Sequence, residues 1–172
     1  YYYNRFAFDC LKACGIFPLG YRYVEVEING STEGVYLLIE RPFDHILDVV
    51  NSPYALRRLR SGEIDKDKVG KDIPKRKINE YRARYLDLVD MVQSNEGQKA
   101  YESINEALDM SSYMRWLAFN YIVRNGDYTD EVYYYIKPGS DPGQFDIIPW
   151  DYDDIFMREP HEGEEAKRRV LG

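Results

Sequence analysis

The stretch Arg124–Asp154, RNGDYTDEVYYYIKPGSDPGQFDIIPWDYDD, decides how the rest of the chain is read. Its centre is two largely apolar runs, the tyrosine-rich VYYYIK and QFDIIP, separated by PGSDPG, a sequence that turns the chain back on itself. The pattern predicts a β-hairpin. Carboxylates crowd both outer ends, with Asp127, Asp130 and Glu131 before the first strand and Asp151, Asp153 and Asp154 after the second. A hairpin brings its outer ends together, so Asp127 and Asp151 become neighbours although far apart in sequence. Ionised carboxylates repel one another and resist burial unless a cation lies between them. Asp and Asn are also ordinary turn residues, and Asn125-Gly126-Asp127 is equally readable as a helix exit. The residues alone leave both readings open.

Composition narrows the classes. The chain has 172 residues, 44% hydrophobic and 31% charged, with a formal net charge of −7. That is enough for one domain with its own core. An acidic surface does not suit a nucleic-acid partner, whose phosphates need a basic one. No apolar run reaches the length of a membrane span. Between residues 125 and 165 acidic side chains far outnumber Lys137 and Arg158, which makes that region attractive to metal ions or basic partners.

Upstream, NRFAFDCLKACG has helical spacing, with Phe6, Cys10, Ala13 and Cys14 on one side and Gly15 as a stop. Two thiols are too few for a zinc site and read as small core residues. YRYVEVEI and GVYLLI are expected strands, joined by NGSTE with the Asn-Gly hairpin signal. The second run is apolar on both faces, as in a central strand. After ERP, FDHILDVV reads as a short helix, and residues 60–77, mixed in charge with Gly and Pro, as an exposed solvated loop. INEYRARYLDLVDMV predicts an amphipathic helix striped by Ile78, Tyr81, Tyr85, Leu88, Val89 and Val92. SSYMRWLAFNYIV, apolar on nearly every side, predicts a central buried helix.

Alternative chemistries fit less well. A helix–loop–helix calcium site fails after Asp153, where Ile155 and Phe156 occupy a ligand position and the required glycine. His45 and His161 lack ligand-like companions for zinc, and no well-placed His or Cys supports a nucleophilic triad. A paired-carboxylate glycosidase requires a carboxyl separation that spacing does not give. A buried helix, a loop with an Asp, a hairpin and a second Asp match a phosphoryl-transfer template instead. There the Glu40–Pro42 connection corresponds to the hinge that binds adenine.

Three ordered motifs, VEVEINGSTEGVYLLIE, RNGDYTDEVYYY and FDIIPWDYDD, resemble the spore-coat protein H (CotH) kinase family, an atypical branch of the protein-kinase-like fold. The resemblance runs from the first helix to about Phe156. It implies an α+β, protein-kinase-like domain over residues 1–172, with 1–40 a remnant of the N-lobe and 41–172 a mainly helical C-lobe with a catalytic hairpin. The implied activity is transfer of the ATP γ-phosphate to protein Ser or Thr hydroxyls with Mg²⁺ or Mn²⁺. Asp127 takes the catalytic position, Asp151 the metal, Asp153 is an additional ligand, and Glu40 marks the nucleotide cleft. Where the family often carries an Asn as second-metal ligand, this chain has Val132; Asp130, or Glu131, is the substitute. The phosphate-covering segment and its Lys are expected upstream of residue 1. The implied partner is a Ser-rich, basic protein substrate, and the implied location is extracytoplasmic or the spore surface. A non-catalytic protein- or cell-surface-binding module on the same scaffold is the alternative.

Overall fold

The computed structural model describes residues 2–94, 96–140 and 143–156. Arg158, His161 and the acidic residues that follow lie outside them. The chain is α+β with antiparallel sheets. A helix, α1 (Tyr2–Ala13), leads into a two-stranded sheet of β1 (Tyr21–Ile28) and β2 (Ser31–Ile39). A short helix, α2 (Pro42–Asp44), continues as a π-helical turn over His45–Val49. Next come β3 (Tyr54–Arg58), β4 (Ile64–Val69) and three helices, α3 (Lys75–Ser94), α4 (Gly97–Ala107) and α5 (Met110–Val123). The hairpin of β5 (Val132–Ile136) and β6 (Phe145–Pro149) joins a four-stranded sheet in the order β4-β3-β5-β6. Its three strand pairs are all antiparallel.

Both expected hairpins form. Asn29 and Gly30 take positive φ of 52° and 83°, the left-handed pair that a two-residue connection demands. In β5–β6 the register runs from Val132↔Pro149 to Ile136↔Phe145. Tyr134, Ile147 and Ile148 are buried there, whereas the carboxylates are left beyond the last pair.

Four expectations are corrected. The β2 strand is not central: it pairs only with β1, and Val35 and Leu38 are exposed. Residues 60–77 are not one loop, because β4 and the first turn of α3 lie within them. Charges hide this strand in the sequence, since IDKDKV at the sheet edge turns Asp65, Lys66 and Lys68 to solvent, as edge strands do, while Asp67 pairs with Tyr54 and Arg82. The α1 helix buries Ala7, Phe8 and Leu11, leaving Phe6 and Cys14 exposed. The phase is set by Phe8, which stacks on Phe17 at 4.1 Å and meets Tyr152 edge-on at 6.3 Å. Finally, α5 is buried on one side only. Trp116, Phe119 and Val123 face the core, but Met114, Tyr121 and Ile122 are exposed.

The core lies between the four-stranded sheet and the helices. Tyr85 of α3 meets Tyr134 and Phe145 edge-on, and Tyr81 stacks on Tyr54 of β3. Trp116 is fully buried, and its indole N–H donates to the Tyr152 hydroxyl at 3.1 Å. This bond ties α5 to the segment after β6, so the Trp side chain positions the acidic stretch as well as filling the core. Trp116→Ala removes both contributions and is expected to lower unfolding free energy by about 3–5 kcal/mol in urea titrations.

Candidate functional site

The exit of α5 builds the first half of the site. Arg124 is in the left-handed conformation that terminates a helix, with φ 55°. Buried Asn125 follows, its main-chain N–H donating to the Asn120 carbonyl and its side-chain amide to Asn120 Oδ1 at 2.9 Å. Asn125 Oδ1 in turn accepts the Asp127 N–H at 3.1 Å. The Asn-Gly-Asp sequence is therefore a helix exit and also a rigid mount for Asp127.

The second half is held as firmly. The Trp150 N–H donates to the Glu131 carbonyl at 2.9 Å, extending the hairpin by one rung beyond β5–β6. Asp151 follows with φ 42°, a strained value for a non-glycine residue. Asn4 of α1 supports it: its amide donates to Asp151 Oδ1 at 3.2 Å, and its Oδ1 accepts the Tyr152 N–H at 2.5 Å. The Phe156 N–H reaches the Val123 carbonyl at 2.8 Å, closing the acidic segment against the end of α5. Asp153 is exposed on this turn and Asp154 is buried. Trp150 is half-buried, edge-on to Tyr133.

Glu131 connects the two halves. Its carboxyl is raised to about 7, chiefly by burial, with Arg57 partly offsetting this and the charges of Asp151, Asp130 and Asp127 adding to it. The negative ends of both loops thus act on one group. Arg57 Nη2 donates to Glu131 Oε1 at 3.0 Å, while Glu131 Oε2 is buried with no hydrogen-bond partner. Arg60 donates through Nη2 to Asp127 Oδ1 at 2.6 Å and to Asp130 Oδ1 at 3.1 Å. Among the described residues, no three His, Cys, Asp or Glu side chains form a ready-made metal cage.

Glu40 lies at the β2–α2 connection. Its Oε2 accepts the Gly20 N–H at 3.0 Å and lies 3.0 Å from His45 Nδ1, and its own N–H donates to the Gly20 carbonyl. These contacts hold its carboxyl below the usual range, chiefly through the Gly20 N–H. Glu40 borders an open depression of about 610 Å³ lined by Tyr21, Leu38 and Ile39.

Sequence reasoning missed three participants. Arg57 and Arg60 belong to β3 and its turn, a strand placed only by its pairing with β5, so nothing marked them as partners of residues some 70 positions away. Asn4 gave no signal, because a lone Asn on a helix has many uses. Asn125 was visible only as a turn residue.

An α+β protein with acidic residues gathered at the open end of one hairpin is the class that fold and site define. A family model described as "CotH kinase protein" matches residues 1–170, and the chain belongs to that family. It is similar to the Inner spore coat protein H of Bacillus subtilis (strain 168), 25% identical over 179 aligned residues that cover 92% of this chain and 47% of the relative. The chain therefore spans about half the length of that relative.

The raised Glu131 carboxyl makes a signed prediction. The folded state keeps a proton that the unfolded chain releases near the ordinary value of 4.5, so this group's contribution to stability falls as pH rises from about 4.5 to 7 and then levels off. Glu131→Gln removes that fall. In urea titrations the variant is expected to exceed wild type by on the order of 1–3 kcal/mol at pH 8 and to match it closely below pH 4.5. A difference independent of pH would contradict the assigned cause.

Proposed function

We propose that the chain carries the catalytic groups of an ATP- and divalent-metal-dependent protein Ser/Thr kinase of the CotH type, on a protein-kinase-like fold. Residues 1–40 then belong to the N-lobe and 41–172 to the C-lobe, with the Glu40–Pro42 connection between them. The observation that carries this reading is that Asp127 and Asp151, from the two loops at the open end of a single hairpin, both act electrostatically on Glu131. Further support comes from the element order, in which a partly buried helix, a loop bearing Asp127, a hairpin and then Asp151 follow a strand pair and a short connection.

The residues present suit a divalent cation of one particular kind. Magnesium is commonly held by one or two carboxylates, with water and phosphate oxygens completing its shell. Asp151, half-buried and held by the Asn4 amide, is the carboxylate of that type in this reading. Exposed Asp153 is the additional ligand in this reading, and Asp130 the substitute for the second-metal ligand absent at Val132. A bound cation with its nucleotide supplies the phosphoryl group and neutralises the charge developing on it. Asp127, fixed by Asn125, orients the acceptor hydroxyl and takes its proton as the new oxygen–phosphorus bond forms and the γ-phosphorus bond to the departing ADP oxygen breaks. Arg60 must loosen its 2.6 Å hold on Asp127 for that proton to be accepted. Asn4 keeps Asp151 in its strained conformation, so that its carboxylate needs little reorganisation on binding.

The acidic surround favours a basic, Ser-rich protein as substrate. The relative's name places it in the inner spore coat, and we extend a spore-surface or extracytoplasmic location to this chain. No helix among the described residues is long and apolar enough to cross a membrane.

The Arg60–Asp127 ion pair also favours a second reading, in which Arg60 occupies the catalytic carboxylate permanently and the scaffold binds a protein or cell-surface partner without transfer. Phosphate transfer from ATP by the full-length protein to a Ser-rich basic peptide, with Mg²⁺ or Mn²⁺, separates the two. Asp127→Ala and Asp151→Ala are each expected to lower the rate by at least about 10²-fold, and Asp153→Ala by less. Wild-type rates in both of the first two variants would reject the assigned roles. Metal-dependent nucleotide binding without transfer would select the second reading.

A further inference from the structure

On the helix side of the sheet, α3, α4, α5 and the β3–β4 turn enclose a pocket of about 390 Å³. That volume is within the range of small-molecule sites. Its walls are apolar, formed by Leu88, Val92, Ile104 and Leu117 among others. Val92 and Met114 at its rim are more than half exposed, so the apolar surface continues to solvent.

One cation in this apolar lining is anomalous. Arg58 lies among Tyr85, Tyr113 and Tyr134, with its guanidinium carbon 5.9 Å from the centre of the Tyr134 ring. Its Nε donates to the Thr129 carbonyl. Among the described residues it has no carboxylate partner, although its strand neighbour Arg57 and nearby Arg60 both do. A largely desolvated guanidinium surrounded by aromatic rings, the Tyr85 hydroxyl and a carbonyl carries a charge that no carboxylate neutralises, and this favours an anion.

We propose that this pocket binds a single-chain amphipathic anion, an alkyl carboxylate, with its head group on Arg58 and its chain between α3, α4 and α5. Charge and shape fit one occupant of this kind: Arg58 without a carboxylate at one end, beside an Arg60 already paired with Asp127 and Asp130, and aliphatic walls for the rest. A wholly apolar ligand leaves the Arg58 charge without a counterion, and a small inorganic anion leaves the aliphatic walls uncovered. Because the same guanidinium donates to Thr129, in the loop that carries Asp127, the occupant shares a residue with the candidate site. The proposal does not depend on the reading of the carboxylates as a kinase centre.

Calorimetric titration of the full-length protein with sodium decanoate, below its micelle concentration, tests the site. Saturable one-to-one binding is expected, with decanol at least about tenfold weaker, as the loss of a charge-assisted pair implies. Arg58→Gln should weaken decanoate by a similar factor. Val92→Trp, a change at the exposed rim that leaves Arg58 in place, should block entry of the chain. Absence of saturable binding by folded wild type, equal affinity for decanol, or undiminished binding by Val92→Trp would each overturn the proposal.

Discussion

The structure depends on a contest at the open end of the β5–β6 hairpin, where main-chain pairing holds like charges side by side. The strands pair from Val132↔Pro149 to Ile136↔Phe145, and the Trp150–Glu131 bond adds a rung. Val132, Tyr134, Ile136, Phe145, Ile147 and Ile148 are buried by that pairing, at roughly 1.5–3 kcal/mol for each large side chain. Repulsion between two partly solvated carboxylates a few ångströms apart is only a few kcal/mol. Burial wins, and the acidic residues are carried into proximity by a strand pairing they do not themselves favour.

The chain moderates this repulsion in two ways. Arg57 and Arg60, delivered by the neighbouring strand β3 and its turn, pair with Glu131 and with Asp127 and Asp130. Glu131, the most confined of the group, retains its proton to about pH 7. A bound cation could replace either device. The exposed charges at the margin add little stability by themselves, so their arrangement is better understood as function than as a contribution to folding.

Much of the site was legible because hairpins announce themselves locally. Asn29-Gly30 and the tyrosine-rich run before a Gly/Pro turn both specify chain reversal, and chain reversal alone brings the hairpin's outer ends, Glu131 and Trp150, together. Helices α3, read from its one-sided stripe, and α5, read from its apolar composition, also form, because their buried faces are anchored by Tyr85 and Leu88 and by Trp116 and Phe119. Other features were hidden because they depend on long-range pairing. Strand β4 shows charges rather than alternation, and β3 acquires its place only by pairing with β5. The apolar composition of α5 concealed a one-sided burial, since hydrophobicity does not reveal which face has a neighbour. Arg60 and Asn4 meet their partners only once the fold is formed.

The account's central claim is that the loops at 125–131 and 150–154 form one cation-holding pocket. Paramagnetic broadening of backbone amide signals on titration with Mn²⁺ and ATP tests it most directly. The account predicts that signals from both loops broaden together at the same low metal concentration, and that Asp151→Asn abolishes the effect in both. Broadening confined to one loop, or spread over the acidic surface without saturation, would contradict it.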